Sequence, residues 1–189
     1  MVRRKSAQME FLCPLKPRPD WCSNQCKEID TNDPQKIRLY CFEESLVDHI
    51  KGRGLISLSE CRKIVEDICS QYRVTDIPEI KDGRGMTVAR GGYCSDDILR
   101  IKLPCQYRYP LAVLHEATHC VIHFYLKYPK FRPATENKRI RSYYAKDEQS
   151  VYEPHGALYV GYVLEIYSSY LKLDLSYLKK VAKQFSLDF

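Results

Sequence analysis

From Pro110 to about Lys127 the chain is apolar nearly all round: Leu111, Val113, Leu114, Ala117, Val121, Ile122, Phe124 and Leu126. Pro110 suits the first position of a helix, and Pro129 prevents its continuation. A helix that is apolar on every side is a buried one. Yet this stretch carries His115, Glu116 and His119. Burying a carboxylate is costly unless it is paired or bound to a cation. His115 and His119 are four residues apart, so a helix sets both imidazoles on one face, one turn apart. Two such rings can meet one tetrahedral zinc ion. Glu116 then projects beside the metal rather than onto it, where it can hold and deprotonate a zinc-bound water.

A catalytic zinc needs a third protein ligand and one open position. The chain has five histidines. His49 falls in a charged upstream segment and reads as a surface residue. His123 follows His119 by another turn, about 6 Å further along the axis, too far to share one ion with both others. His155 is the expected third ligand, in the first turn of a helix opened by Pro154, with Gly156 leaving room for close backbone approach. Glu148, Glu153 and Glu165 are the carboxylate alternatives. An oxyanion stabiliser is sought in the loop residues Arg141, Tyr143, Tyr144 and Tyr152, with Tyr152 chosen for its nearness to His155.

The surrounding pattern gives an α+β reading. Residues 1–35 read as an irregular tail and residues 36–189 as one domain. Residues 36–50 read as a strand or short helix. Residues 57–73 read as a helix, with Ser57 and Glu60 as a capping box and Cys61, Ile64, Val65, Ile68 and Tyr72 as its apolar stripe. Ile77–Ile80, with its proline, suits an edge strand. Met86–Ala89 and Ile98–Leu103 read as paired strands joined through Gly91-Gly92 and Ser95–Asp97. Ile101 and Leu103 share one strand face, Arg100 and Lys102 the other. Residues 128–153 read as a long polar connection. A helix to about Leu173 follows, with Tyr159, Tyr162, Val163, Ile166 and Tyr170 as packing stripe. Asp174 or Ser176 caps a last helix, with Leu178, Ala182 and Phe185 inward.

The residues His115-Glu116-Ala117-Thr118-His119 and His155-Gly156-Ala157-Leu158-Tyr159 resemble the H-E-x-x-H … H-G-x-x-aromatic pattern of small zincins. The nearest likeness is a group of metallohydrolases from actinobacteria and their phages. The SprT-like proteases are a more distant one. Arg38-Leu39-Tyr40-Cys41-Phe42-Glu43 is similar to that group's early R-x-Y-x-x-E segment, and the likeness covers about residues 36–172. It implies a zinc ion, His115, His119 and His155 as ligands, Glu116 as base, and a small sheet, mixed or antiparallel, over the zinc helix. The chain departs from the pattern in its long Lys/Arg/Tyr connection between the two motifs.

Composition narrows the remaining choices. No apolar run approaches the length of a bilayer span, and no signal-type stretch follows the basic N-terminus, so the expected location is cytoplasmic (the host cytoplasm for a phage protein). Nine cysteines then read as thiols, Cys61 and Cys69 on a helix's apolar stripe among them. The spacing of Cys13, Cys22 and Cys26 is poorly suited to a second zinc. The expected activity is that of a metallopeptidase acting on a peptide or protein substrate, which Ile98–Leu103 would pair along its edge. A net charge of +6 also permits nucleic acid to bind through the basic 127–146 loop. Two rival readings are a non-catalytic zinc-stabilised module and a metal-free interaction protein.

Overall fold

The computed structural model describes residues 33, 35–47, 54–84, 92–94, 100–145 and 154–189. The expected Met86–Ala89 strand, His49, the Cys13/Cys22/Cys26 group, Glu148, Tyr152 and Glu153 lie outside these residues, as do the side chains of Tyr143 and Tyr144. Most of the 1–35 segment does too, but its end is informative. Asp33 and Gln35 are both buried.

Residues 36–50, open between strand and helix from sequence, form helix α1 over Lys36–Leu46. Leu39, Phe42 and Leu46 recur at helical spacing and all are buried. Helix α2, Leu58–Gln71, starts at the expected capping box: Ser57 Oγ accepts from Glu60 N, and Glu60 Oε2 accepts from Ser57 N at 2.7 Å. Its buried stripe is Cys61, Ile64, Val65, Ile68 and Cys69. Helix α3, Pro110–Lys127, has Pro110 in its first turn and twelve buried residues from Leu111 to Tyr125.

The sheet is mixed. Strands β1 (Glu79–Asp82), β2 (Gly92–Cys94) and β3 (Arg100–Leu103) lie in the order β1-β3-β2, with β1 parallel and β2 antiparallel to β3. The proline-flanked β1 is an edge strand, as read from sequence. Two expectations need correction. Gly92 belongs to a strand, not to a turn. β3 is the central strand, paired with β1 along 100–103 and with β2 along 100–102, so an extended peptide cannot add along it there. Ile80, Ile101 and Leu103 turn inward. Gly83 ends β1 against Pro104, where a Cβ would come within 2.6 Å of the proline ring and nitrogen.

The stretch read as an unstructured connection is largely helical. After a 3-10 turn at Pro129–Phe131, helix α4 spans Ala134–Ala145. The basic residues there are partly committed to structure. Arg132 donates to the carbonyl of Tyr125 near the end of α3. Arg139 pairs with Glu165 at 2.8 Å and lies 4.0 Å over the Tyr162 ring. Helix α5, Ala157–Leu171, begins later than expected. Gly156 is its extended N-cap, so His155 sits in the turn before the helix rather than in its first turn. Helix α6, Leu175–Gln184, is capped by Asp174, whose Oδ1 accepts from Tyr177 N, and Leu178, Ala182 and Phe185 face inward as expected.

Helix α3 is the centre of the packing. It lies against α2, α5 and β2, while α6 closes on α1 and α5. Tyr125, Tyr159, Tyr162 and Tyr167 are fully buried. Each hydroxyl finds an acceptor: the Tyr72 carbonyl, the His115 carbonyl, Glu136 and Glu43 respectively. Tyr170, placed on the packing stripe by periodicity, lies at the exposed margin.

Removing the α2 cap tests the local basis of this frame. Ser57→Ala should lower stability by about 1 kcal/mol. Urea denaturation should show an earlier midpoint with unchanged slope. An unchanged midpoint would mean that tertiary packing alone sets the start of α2.

Candidate metal centre

Helix α3 carries His115 and His119 on one face, as their spacing requires. The turn ahead of α5 brings His155 to them, and Tyr159, in the first turn of α5, packs against all three rings. Its ring centroid is 4.3 Å from that of His119, 5.0 Å from His155 and 5.3 Å from His115. Tyr40 of α1 flanks the cluster at 5.6 Å from His115 and 5.9 Å from His155. His115 and His155 are buried; His119 is half-buried.

The ring nitrogens converge. His155 Nε2 lies 3.2 Å from His119 Nε2 and 3.2 Å from His115 Nε2. The opposite nitrogens meet carboxylates. His115 Nδ1 is 2.7 Å from Glu43 Oε1, and His155 Nδ1 is 2.5 Å from Asp33 Oδ2. A carboxylate accepts, so these partners place the proton on Nδ1 in both rings. With both rings neutral, the Nε2 lone pairs of His115 and His155 face each other with no proton between them. Two such lone pairs at 3.2 Å repel unless a cation lies among them.

The donor set therefore fits a metal ion. Nitrogens about 2.0–2.1 Å from a tetrahedral zinc stand about 3.3 Å apart, close to the two separations found here. Three histidines with carboxylates behind two of them also match the way a catalytic zinc site is built. Among the described residues His115, His119 and His155 form the one group of this kind. His123 is not in it. Glu165, a sequence alternative for third ligand, is instead paired with Arg139.

Burial supports the neutral, ligating form of the rings. Desolvation, reinforced by His115 and His155, holds the His119 pKa well below 6.5. His155 is also lowered, chiefly by desolvation, against the opposing pull of Asp33. Around them runs a polar chain. Tyr167 donates to Glu43 Oε1 at 2.7 Å, and Glu43 in turn holds His115. Burial first, then the charges of Glu43 and Glu116, pushes the Tyr167 hydroxyl well above its ordinary range, so it stays a donor. Glu116 is buried.

Sequence reasoning reached the three histidines and Glu116. It gave no role to Asp33 or Tyr167, met Glu43 only as the last residue of the R-x-Y-x-x-E likeness, and read Tyr159 as a packing residue and the aromatic of the second motif. Glu43 did leave a signal. It stands among Leu39, Phe42 and Leu46 at helical spacing, a carboxylate in an apolar stripe. Asp33 left none, being one acid among several in an irregular stretch.

The lowered histidine pKa values make acid destabilising. The unfolded chain gains protons through about pH 6.5, while His119 and His155 in the folded protein resist until lower pH. Stability from these groups is thus full above that pH and is lost as pH falls toward the folded values. Metal-free protein should show a falling urea midpoint from pH 7.5 to pH 5.5; a rising midpoint would refute the assigned neutral rings. In comparisons with known proteins, no family model, no curated protein and no solved structure matches this chain.

Proposed function

We propose that the protein is a zinc-dependent hydrolase of the zincin type, most specifically a metallopeptidase that cleaves amide bonds. One observation carries the reading: three imidazole Nε2 atoms converge, two of them from the helix that also carries the buried Glu116 next to His115. A structural zinc site ordinarily closes all four positions with protein ligands, whereas three histidines leave one open.

Zinc, when bound, supplies Lewis acidity toward a carbonyl oxygen and lowers the pKa of water in its coordination sphere. The chain's own residues do the rest. His115, His119 and His155 hold the ion through Nε2. Glu43 keeps the His115 ring in the Nδ1–H form and fixes its orientation. A carboxylate oxygen of Glu116 takes the proton of the attacking water and delivers it to the leaving amine nitrogen. Tyr152, the oxyanion stabiliser expected from sequence, keeps that role as a proposal. The substrate must reach the site by a route other than strand addition to β3 at 100–103. The expected contact of the basic 127–146 segment with nucleic acid stands as a subsidiary proposal, now resting on a helix.

Metal content and hydrolysis of an unstructured protein substrate, such as casein, test the assignment together. Wild type should hold one zinc ion and cleave. Glu116→Gln should keep the ion and lose activity by roughly 10²–10⁴-fold. Equal activity in both proteins would remove Glu116 as the base. Salt-dependent DNA binding by a zinc-loaded, inactive protein would favour a non-catalytic module instead.

A further inference from the structure

Asp33 stands ahead of the first helix, in sequence far from the histidines, yet it is buried against one of them. Its Oδ2 accepts from His155 Nδ1 at 2.5 Å, across 122 positions of sequence. Its other oxygen, Oδ1, is buried with no hydrogen-bond partner among the described residues. A buried carboxylate with a half-satisfied head group is expensive. Packing alone would be better served by an apolar residue. The position makes physical sense where the negative charge is balanced by a neighbouring cation.

His155 needs such a partner more than His115 or His119 does. Those two are held by the rigid frame of α3. His155 lies outside any helix, in the turn before the extended cap Gly156. Its ring is oriented by Asp33 on one side and by the packing of Tyr159 and Tyr40 on others. Asp33 itself is anchored nearby. Gln35 Oε1 accepts from Asp188 N at 2.6 Å, and Arg38 donates to the Ser186 carbonyl at 2.7 Å, tying this segment to the C-terminal end of the chain. The lysine-36 amide closes a turn on the Asp33 carbonyl.

We propose that Asp33 is a positioning residue of the metal centre: the segment ahead of α1 completes the site by fixing the tautomer and direction of His155. This rests on the metal reading above and adds to it a dependence on the N-terminal segment. Outer carboxylates of this kind raise the basicity of the ligand behind them, and their loss costs about 10–100-fold in metal affinity. The docking of Asp33 and Gln35 ahead of α1 and the metal's retention are then linked.

Full-length wild type, Asp33→Asn, Asp33→Ala and Gln35→Ala would be compared by titration with zinc against a chromophoric chelator, and with Co²⁺, read by its visible absorption. Asp33→Asn keeps the shape and one acceptor oxygen but loses the charge. It should weaken zinc binding, and Asp33→Ala should weaken it further, by about 10–100-fold, with an altered Co²⁺ spectrum. Gln35→Ala, which loosens the segment without touching His155, should lower the urea midpoint while leaving the spectrum of the loaded protein unchanged. Circular dichroism identifies any variant that fails to fold; Asp33→Asn, nearly isosteric, carries the test in that case. Zinc affinity and Co²⁺ spectra equal to wild type in both Asp33 variants would overturn the inference while leaving the three-histidine site standing. A wild-type protein that takes up neither ion would overturn both.

Discussion

The structure depends on the meeting of three imidazoles at their Nε2 atoms. Neutral rings in this arrangement repel, and two of them are held in place by carboxylates that are themselves buried. Such a cluster is tolerable inside a protein where a cation compensates it. The frame around it is correspondingly stiff. α3 supplies two of the imidazoles from one face, α5 packs along it, and Tyr159 and Tyr40 border the rings.

The same core that stabilises the fold also orients the site. Buried tyrosines fill volume with their rings and use their hydroxyls on specific acceptors. Tyr159 reaches the His115 carbonyl, and Tyr167 reaches the carboxylate that holds His115. The packing of α5 on α3 therefore also sets the tyrosines that hold His115 and its carboxylate partner. A change in helix position moves both together. Arg139 has a comparable role at the far side of α5, joining Glu165 and the Tyr162 ring and so fastening α4 to the bundle. Gly161 leaves space for this guanidinium, since a Cβ there would meet its Nη2 at 2.6 Å.

Much of this was legible from particular residues. The capping box at Ser57 and Glu60, Pro110 and Asp174 marked helix starts because caps act on neighbours within one turn. The Ile101/Leu103 face followed from the two-residue period of a strand. The 128–153 connection was misjudged because α4 is polar on most of its surface: Ile140 is its one buried apolar residue among those described. A polar helix of that kind carries little periodic signal, and its contacts with α5 come from the Arg139 and Glu136 side chains. The central place of β3 was equally hidden, since strand order depends on partners distant in sequence.

Local spacing by itself determined α2, α3, α5 and α6, the shared face of His115 and His119, and the presence of a buried carboxylate between them. These follow from the pitch of a helix and the cost of burying charge, both of which act over a few residues. Tertiary structure decided that His155 joins the pair, that Glu165 goes to an arginine, and that Glu43 and Asp33 stand behind the rings. Those choices depend on how α1, α3 and α5 pack. Chain segments from 26 to 122 residues apart meet only after the core has closed, and no local pattern records the meeting.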